Sequence, residues 1–184
     1  MAETQQEYKA RILAHSQGQN PIKIQAATPD RLEKLIKGVP SQRLSKPPAP
    51  GKWSVKEILA HLSETEMVIA FRIRLIRGAN GTPITAYDQD VWAEAGDYKR
   101  RDPKKSLALF RAVRESNVAV LKSLKAAEWK QHGLHSERGP ESLEVIASMI
   151  AGHDVNHILQ IEAILGNRGN RGNKGNSRKK PARK

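Results

Sequence analysis

Apolar side chains recur every three or four residues along three long stretches of the chain, which is the spacing of amphipathic helices. These stretches cover residues 55–78, 103 to about 128, and 142–165. A shorter apolar stripe around Leu32 predicts another helix before them. We find no run that alternates apolar and polar positions over the length of a convincing strand. The pattern therefore predicts an all-α fold, a four-helix bundle with one long crossover connection.

Capping residues indicate where the helices begin. Ser54 and Glu57 form a capping box at the start of the first long stretch. Asp102 and Thr28 are each followed by a proline, and an N-cap residue before a proline is typical of a helix start. For the helix that Thr28 would open, the alternative is an earlier start, back to Ile22.

The predicted helices divide the chain into three regions. We expect a partly ordered leader over residues 1–27 and a metal-binding helical bundle over residues 28–166. A long connection over 78–101 lies inside the bundle, and loops of this length are usually functional or disordered. Residues 167–184 repeat Asn, Gly and basic residues and contain no large apolar side chain, so we expect a disordered basic tail.

Most of the positive charge belongs to the tail. The chain of 184 residues has a formal net charge of +13, and residues 167–184 carry eight cations and no acid, which leaves +5 for the rest. The charge therefore does not indicate a nucleic-acid-binding body. The tail is either a solubilising extension or a sequence-independent contact to phosphates, so nucleic acid is expected as a partner through the tail only.

The chain contains no cysteine, which rules out disulfides, cysteine-ligated zinc, iron–sulfur clusters and a cysteine nucleophile. Thiol chemistry would need an external thiol. The longest apolar runs are four residues, far short of the roughly 18 that a membrane span needs. The N-terminal residues lack the apolar stretch of a secretory signal. We expect no membrane partner and a cytoplasmic location.

Two histidines on the last predicted helix form the clearest candidate site. His153 and His157 are four residues apart, so both imidazoles lie on one face, and they occupy positions of the apolar stripe. Buried imidazole nitrogens need partners, and one divalent cation satisfies two of them. Metal binding and structural burial stay open as alternatives. His61, at the border of an apolar helix face, is either a third ligand or a surface side chain.

The segment from His153 to His157 also resembles the HExxH motif of zinc proteases, with Asp154 in place of the glutamate base. The aspartate is one methylene shorter, and a step of one residue turns it about 100° away from His153. We therefore expect Asp154 to lie beside the ligands or to face solvent, and we disfavour peptidase activity.

Three sequence blocks together match a known family. They are WSVKEILAHLSE at 53–64, YDQDVW at 87–92 and HDVNHILQIE at 153–162. In this order and at these separations they resemble the DinB-like superfamily, in particular its DinB_2 branch with the YfiT-like metal-dependent enzymes. The resemblance covers approximately residues 28–166.

The resemblance implies a four-helix bundle, usually a homodimer, with a divalent metal such as nickel or zinc. Carried over residue by residue, the implied metal ligands are His61, His153 and His157. Members of the family include thiol S-transferases that use bacillithiol or glutathione, a mycothiol-dependent isomerase and proteins described as metal-dependent hydrolases. We therefore expect a metal-dependent enzyme that transfers or activates a low-molecular-weight thiol and acts on a small-molecule substrate. A hydrolase and a non-catalytic metal-binding module are the alternatives, and no catalytic residue is assigned.

Four further polar residues were considered for the site. Asp88 and Asp90 either cap a short helical turn before Trp92 or, as the alternative, hold a ligand imidazole or a substrate. His132 and His135 precede the last helix, and we expect them to be loop residues rather than ligands.

Overall fold

The computed structural model describes residues 3–166. Within this range the chain forms seven α-helices and three short β-strands. The helices are α1 (Gln5–Ala14), α2 (Pro21–Ile36), α3 (Ser41–Leu44), α4 (Val55–Gly78), α5 (Gln89–Ala95), α6 (Pro103–Lys122) and α7 (Leu143–Ile164). The strands are β1 (Thr82–Ile84), β2 (His132–His135) and β3 (Gly139–Ser142). In this part of the chain no helix has both the length and the apolar character needed to cross a membrane. The tail predicted over 167–184 lies outside the described residues.

Helices α2, α4, α6 and α7 form a four-helix bundle, which confirms the predicted fold. α4 packs mainly against α6, and α2 packs against both α6 and α7. Leu59 of α4 and Phe110 of α6 share one apolar cluster, while Ile73 and Leu121, further along the same helices, share the other. α4 and α6 therefore run in the same direction. This explains why a long crossover must connect them.

The caps predicted for α4 and α6 are present. The Ser54 backbone N–H donates to the Glu57 carboxylate at 2.8 Å, and the Glu57 N–H donates to Ser54 Oγ at 3.4 Å. Asp102 caps α6 by accepting from two backbone N–H groups, and Ser142 caps α7 by accepting from one. Local hydrogen bonding thus fixes the starts of three bundle helices.

Two other helix ends differ from the prediction. α2 begins at Pro21 because Asn20 caps it, so the N-cap predicted at Thr28 was wrong and the expected boundary at residue 28 falls inside the helix. The alternative start at Ile22 agrees with the structure to within one residue. α6 ends at Lys122 rather than near Glu128. The Glu128 carboxylate instead accepts from a nearby backbone N–H at 2.7 Å and organises a separate 3₁₀ turn.

The leader region contains α1, which packs on α7. Ile12 of α1 is fully buried. At the contact α7 carries Gly152, where an added Cβ would collide with the carbonyl oxygen of Ile12. Only glycine allows the two backbones to approach this closely.

A small sheet, which the sequence did not predict, joins two connections. β1 follows α4 and pairs in parallel with β2, and β2 pairs antiparallel with β3. These strands are three or four residues long, too short to show an alternating pattern. The sheet holds the α4–α6 crossover against the segment that leads into α7.

Candidate metal centre

Three histidines meet at the middle of the bundle, between the two apolar clusters. α4 supplies His61, and successive turns of α7 supply His153 and His157. His153 Nε2 lies 3.1 Å from His61 Nε2 and 3.1 Å from His157 Nε2. The candidate ligand atoms of all three lie within 4.8 Å of one another, and all three side chains are buried. The structure therefore brings the three predicted residues together, and the surface alternative for His61 was wrong.

The three imidazoles are neutral at neutral pH. Burial, and next the charge of His157, lower the pKa of His61 well below its ordinary value. Burial, followed by the charges of its two neighbouring histidines, has the same effect on the pKa of His153. Burial lowers the pKa of His157 to about 4, against the opposing effect of a hydrogen bond with Gln160. Neutral imidazole is the form that binds metal.

The arrangement fits one divalent metal ion. A neutral imidazole has only one N–H, so three facing nitrogens cannot all satisfy one another. His157 Nδ1 lies 2.9 Å from Gln160 Oε1; a proton on Nδ1 makes this hydrogen bond and leaves the Nε2 lone pair for a metal. Metal–nitrogen bonds of about 2.0–2.1 Å at tetrahedral angles place two nitrogens roughly 3.3 Å apart. Two of the three nitrogen separations, 3.1 Å each, are close to this value, and the third is no longer than 4.8 Å.

A cavity of about 440 Å³ lies beside the histidines. His61 and His153 form part of its wall, together with Tyr8 of α1 and Tyr87 of the crossover. The Tyr87 hydroxyl lies 3.1 Å from Thr65 Oγ1, which lies 3.5 Å from His61 Nε2. The volume is in the range of small-molecule sites. A substrate in this cavity would reach the histidine cluster directly.

Asp154 is not placed to act as a base beside the histidines. Its carboxylate accepts hydrogen bonds from the Arg114 guanidinium and, at 2.9 Å, from Thr28 Oγ1. Arg114 also donates to Glu66 at 2.7 Å. A protease base must be free to take a proton from water, so the geometry argues against the HExxH interpretation. Asp154 is 1% exposed, and the solvent-facing alternative was therefore wrong.

The other candidate polar residues lie outside the cluster. Asp88 caps α5 by accepting from the backbone N–H groups of Asp90 and Val91, at 2.8 and 3.1 Å. His132 and His135 lie on β2 rather than in a loop, because this segment pairs with β1. Neither belongs to the metal-ligand group found among residues 3–166. His135 instead lines the cavity.

Sequence reasoning missed several polar residues around the histidines. They are Thr65, Arg72, Arg114 and Gln160. Thr65 follows His61 by four residues and Gln160 follows His157 by three, so helical spacing alone places each beside its histidine. Arg114 lies on the apolar stripe of α6, where a charged residue indicates a buried partner.

The fold and the site together define a four-helix-bundle protein with a buried three-histidine group suited to a divalent metal. The model of the DinB superfamily matches residues 26–161. The chain therefore belongs to the DinB superfamily, which confirms the resemblance in the sequence.

Curated relatives and a solved structure agree with this assignment. "Putative metal-dependent hydrolase YfiT" from Bacillus subtilis is 27% identical over 161 residues, which cover 84% of this chain and 88% of the relative. A "Putative metal-dependent hydrolase" from Bacillus cereus is 26% identical over 136 residues, or 74% of this chain and 78% of the relative.

The solved structure is that of YfiT from Bacillus subtilis, described as a probable metal-dependent hydrolase with an unusual four-helix bundle topology. It matches with a TM-score of 0.72 at 22% identity and covers 90% of this chain and 91% of that chain. At this identity the structural likeness shows the fold alone.

Proposed function

We propose that this protein is a metal-dependent enzyme that activates a low-molecular-weight thiol and transfers it to an electrophilic small molecule. His61, His153 and His157 would hold the divalent metal. The observation that carries the proposal is the convergence of three neutral imidazoles, two of which line a cavity of about 440 Å³. When bound, such a metal supplies a positive charge that lowers the pKa of a thiol or water at its open position. Three protein ligands are typical of catalytic rather than structural sites.

The hydrogen bonding of the buried carboxylates favours a thiol over water as the nucleophile. Among residues 3–166 the buried acidic residues are Glu57, Glu66, Glu141 and Asp154. Glu57 belongs to a capping box, Glu66 and Asp154 bind Arg114, and Glu141 binds Arg138. Each of these carboxylates is therefore already engaged. Attack by water benefits from a free general base, whereas a thiol with an ordinary pKa of about 8.5 ionises more readily.

In the proposed reaction the thiol sulfur forms a bond to a carbon of the electrophile. The bond between that carbon and its leaving group breaks, and the leaving group departs with the electron pair. The thiol proton passes to solvent. Thr65 and Tyr87, hydrogen-bonded to each other beside His61, place two hydroxyls where they can orient the thiol or donate to the leaving group.

Hydrolysis is the second candidate function, because the relatives are named as metal-dependent hydrolases. In that reaction a water molecule replaces the thiol at the same centre. A non-catalytic metal-binding module is the remaining alternative, and the experiments below separate the three.

We also propose the metal, the location and the partners of this protein. Three imidazoles suit zinc or nickel, so we propose one of these two metals. A cytoplasmic location is proposed because small thiols are kept reduced there. A homodimer is proposed from the family resemblance, and nucleic acid is proposed only as a partner of the basic tail.

Metal content tests the site. We expect about one divalent ion per purified chain, and we expect His157→Ala to lose most of it because two imidazoles hold the ion far more weakly than three. His132→Ala is the matched control, since this half-buried histidine on β2 lies outside the cluster. Elemental analysis and circular dichroism measure metal and folding. An equal metal content in folded His157→Ala would refute the site.

Activity separates the function classes. Protein loaded with Zn²⁺ or Ni²⁺ is incubated with several small thiols and 1-chloro-2,4-dinitrobenzene, and in parallel with nitrophenyl esters. Conjugate formed above background, lost in His157→Ala and kept in His132→Ala, supports thiol transfer. Ester hydrolysis without conjugate supports the hydrolase, and neither product supports the binding module.

A further inference from the structure

Arg72 is a buried cation in the wall of the cavity. It lies on α4 and is 8% exposed. One of its nitrogens, Nη2, donates to the carbonyl of Thr85 at 2.7 Å, and its guanidinium lies 5.8 Å from the centroid of the Tyr87 ring. The ion pairs formed within residues 3–166 do not include Arg72. No carboxylate of this part of the chain therefore lies within ion-pairing distance of its donors, and its side chain lines the cavity.

The buried carboxylate of the wall, Glu141, pairs with Arg138 and Lys9 and not with Arg72. Arg138 donates two hydrogen bonds to Glu141, at 2.8 and 3.0 Å, and Lys9 lies 3.6 Å from the same carboxylate. Burial alone would raise the pKa of Glu141, but its bonds to Arg138 hold that pKa below its usual value, so Glu141 is ionised. Asp88 and Glu137 line the cavity as exposed residues.

Arg72 is thus left without an ion-pair partner among residues 3–166. Burial, and next the charge of Arg138, lower the pKa of Arg72, against the opposing effects of Tyr87 and Glu141. A buried charge is costly unless it is paired. An anionic group on the ligand would supply the missing partner.

Arg72 lies on the same face of α4 as His61. The two residues are eleven positions apart, which is close to three helical turns and about 16 Å along the axis. Helical side chains tilt toward the N-terminus, and because this applies to both residues the guanidinium stays roughly 10–16 Å from the histidine. Thr65 and Tyr87 lie between them and make the wall continuous.

We propose that Arg72 is the anion-binding residue of this cavity and that the natural ligand carries a carboxylate at the end remote from its reacting atom. The planar guanidinium fork matches a carboxylate with two parallel hydrogen bonds. A single guanidinium matches one carboxylate charge better than the two charges of a phosphate. The assignment of the reacting end to the histidines rests on the proposed function, whereas the carboxylate site does not.

Four matched probes separate carboxylate binding at Arg72 from thiol binding at the histidines: octanol, octanoate, 8-mercaptooctanol and 8-mercaptooctanoate. Their extended chains are long enough to reach from the histidines to Arg72. Isothermal titration calorimetry of the full, Zn²⁺-loaded chain measures each affinity. Exchanging the hydroxyl for a carboxylate tests Arg72, and adding the thiol tests the proposed function. We expect the carboxylate to improve binding by about 10-fold in both pairs, as charged hydrogen bonds do.

Variants show whether the gain in affinity from the carboxylate comes from Arg72. Arg72→Met removes the charge at similar length and should abolish the carboxylate preference, while Arg72→Lys keeps the charge without the fork and should retain part of it. Arg74→Met is the matched control, because Arg74 lies on the surface of the same helix and donates to Ser116 and Asn117. It should keep the full preference. Circular dichroism and metal content confirm that each variant is folded and loaded.

The outcomes are distinct. A carboxylate preference that is lost in Arg72→Met and kept in Arg74→Met supports the inference. The absence of a preference in the wild-type chain, or its persistence in folded Arg72→Met, overturns it. A carboxylate preference that depends on Arg72 without any gain from the thiol refutes thiol binding at the histidines and leaves the anion site standing.

Discussion

Gln160 selects the nitrogen that His157 offers to the centre. Its Oε1 lies 2.9 Å from Nδ1, where it accepts the single N–H of a neutral imidazole. Without this acceptor the proton can move to Nε2 and block the lone pair that a metal needs. An outer hydrogen bond of this kind also fixes the orientation of the ring.

We expect Gln160→Leu to weaken metal binding by about 10-fold, the usual effect of losing such a partner. Gln160→Glu retains an acceptor and should bind the metal at least as tightly as the wild-type chain. Competition with a chromophoric chelator at constant pH measures both affinities. If the leucine variant matched the wild-type chain, Gln160 would have no part in orienting His157.

At this scale the sequence predicted the residues that repeat on one helix face. His153 and His157 were found by spacing, and the family resemblance added His61. Arg72 could not be recognised as a candidate anion-binding residue. This role depends on the lack of an ion-pair partner, which can be judged only once the crossover and the β2–β3 hairpin are in place. Ion pairs between side chains of different helices and strands depend on the tertiary fold, and the spacing of residues along the sequence does not show them.

At the scale of elements, the contact between α1 and α7 depends on one glycine. Gly152 faces the backbone of Ile12, and α1 in turn supplies Tyr8 to the cavity wall. A larger residue at position 152 must push the two helices apart. The wall of the cavity therefore depends on a position next to a candidate metal ligand in the chain.

Gly152→Ala should destabilise the protein by about 1–3 kcal/mol through overpacking, and it should expose α1. Gly78→Ala is the matched control, because nothing lies within 4 Å of a Cβ added at that helical position. Thermal unfolding and amide hydrogen exchange over residues 5–14 measure the two effects. Equal stability and equal protection in the two variants would show that the close approach is unimportant.

Elements with local signals were predictable, and those without them were not. The capping box of α4 needs only residues four apart or fewer, and it was found. Thr28 followed by Pro29 has the pattern of a helix start, and the missing N–H of Pro29 leaves the carbonyl of Gln25 without its partner within the helix. In the folded protein Arg114, from another helix, donates to that carbonyl at 3.2 Å. The sequence near Pro29 cannot show this.

At the scale of the whole molecule, one buried cation joins the bundle. Arg114 of α6 binds Glu66 of α4 and Asp154 of α7, and it reaches the backbone of α2 at Gln25. All four bundle helices therefore meet at a single guanidinium. The cluster adjoins the histidine that precedes Asp154 in the chain.

Arg114→Met should cost about 3–5 kcal/mol of unfolding free energy, because it leaves two buried carboxylates without a cation. Arg111→Met on the same helix removes only partly exposed ion pairs and should cost about 1 kcal/mol or less. Urea denaturation measures both. Adding Glu66→Gln and Asp154→Asn to Arg114→Met should recover much of the loss. An Arg114→Met penalty no larger than that of Arg111→Met would contradict this role.

Because of the position of α1, the shape of the cavity can change independently of the candidate metal-binding histidines. The histidines belong to α4 and α7, while α1 contributes Tyr8 to the cavity and no member of the cluster. Substitutions in α1 that change its part of the cavity wall would therefore alter which molecules enter the cavity and leave the ion-holding side chains intact. New selectivity could be engineered in this segment without redesigning the centre.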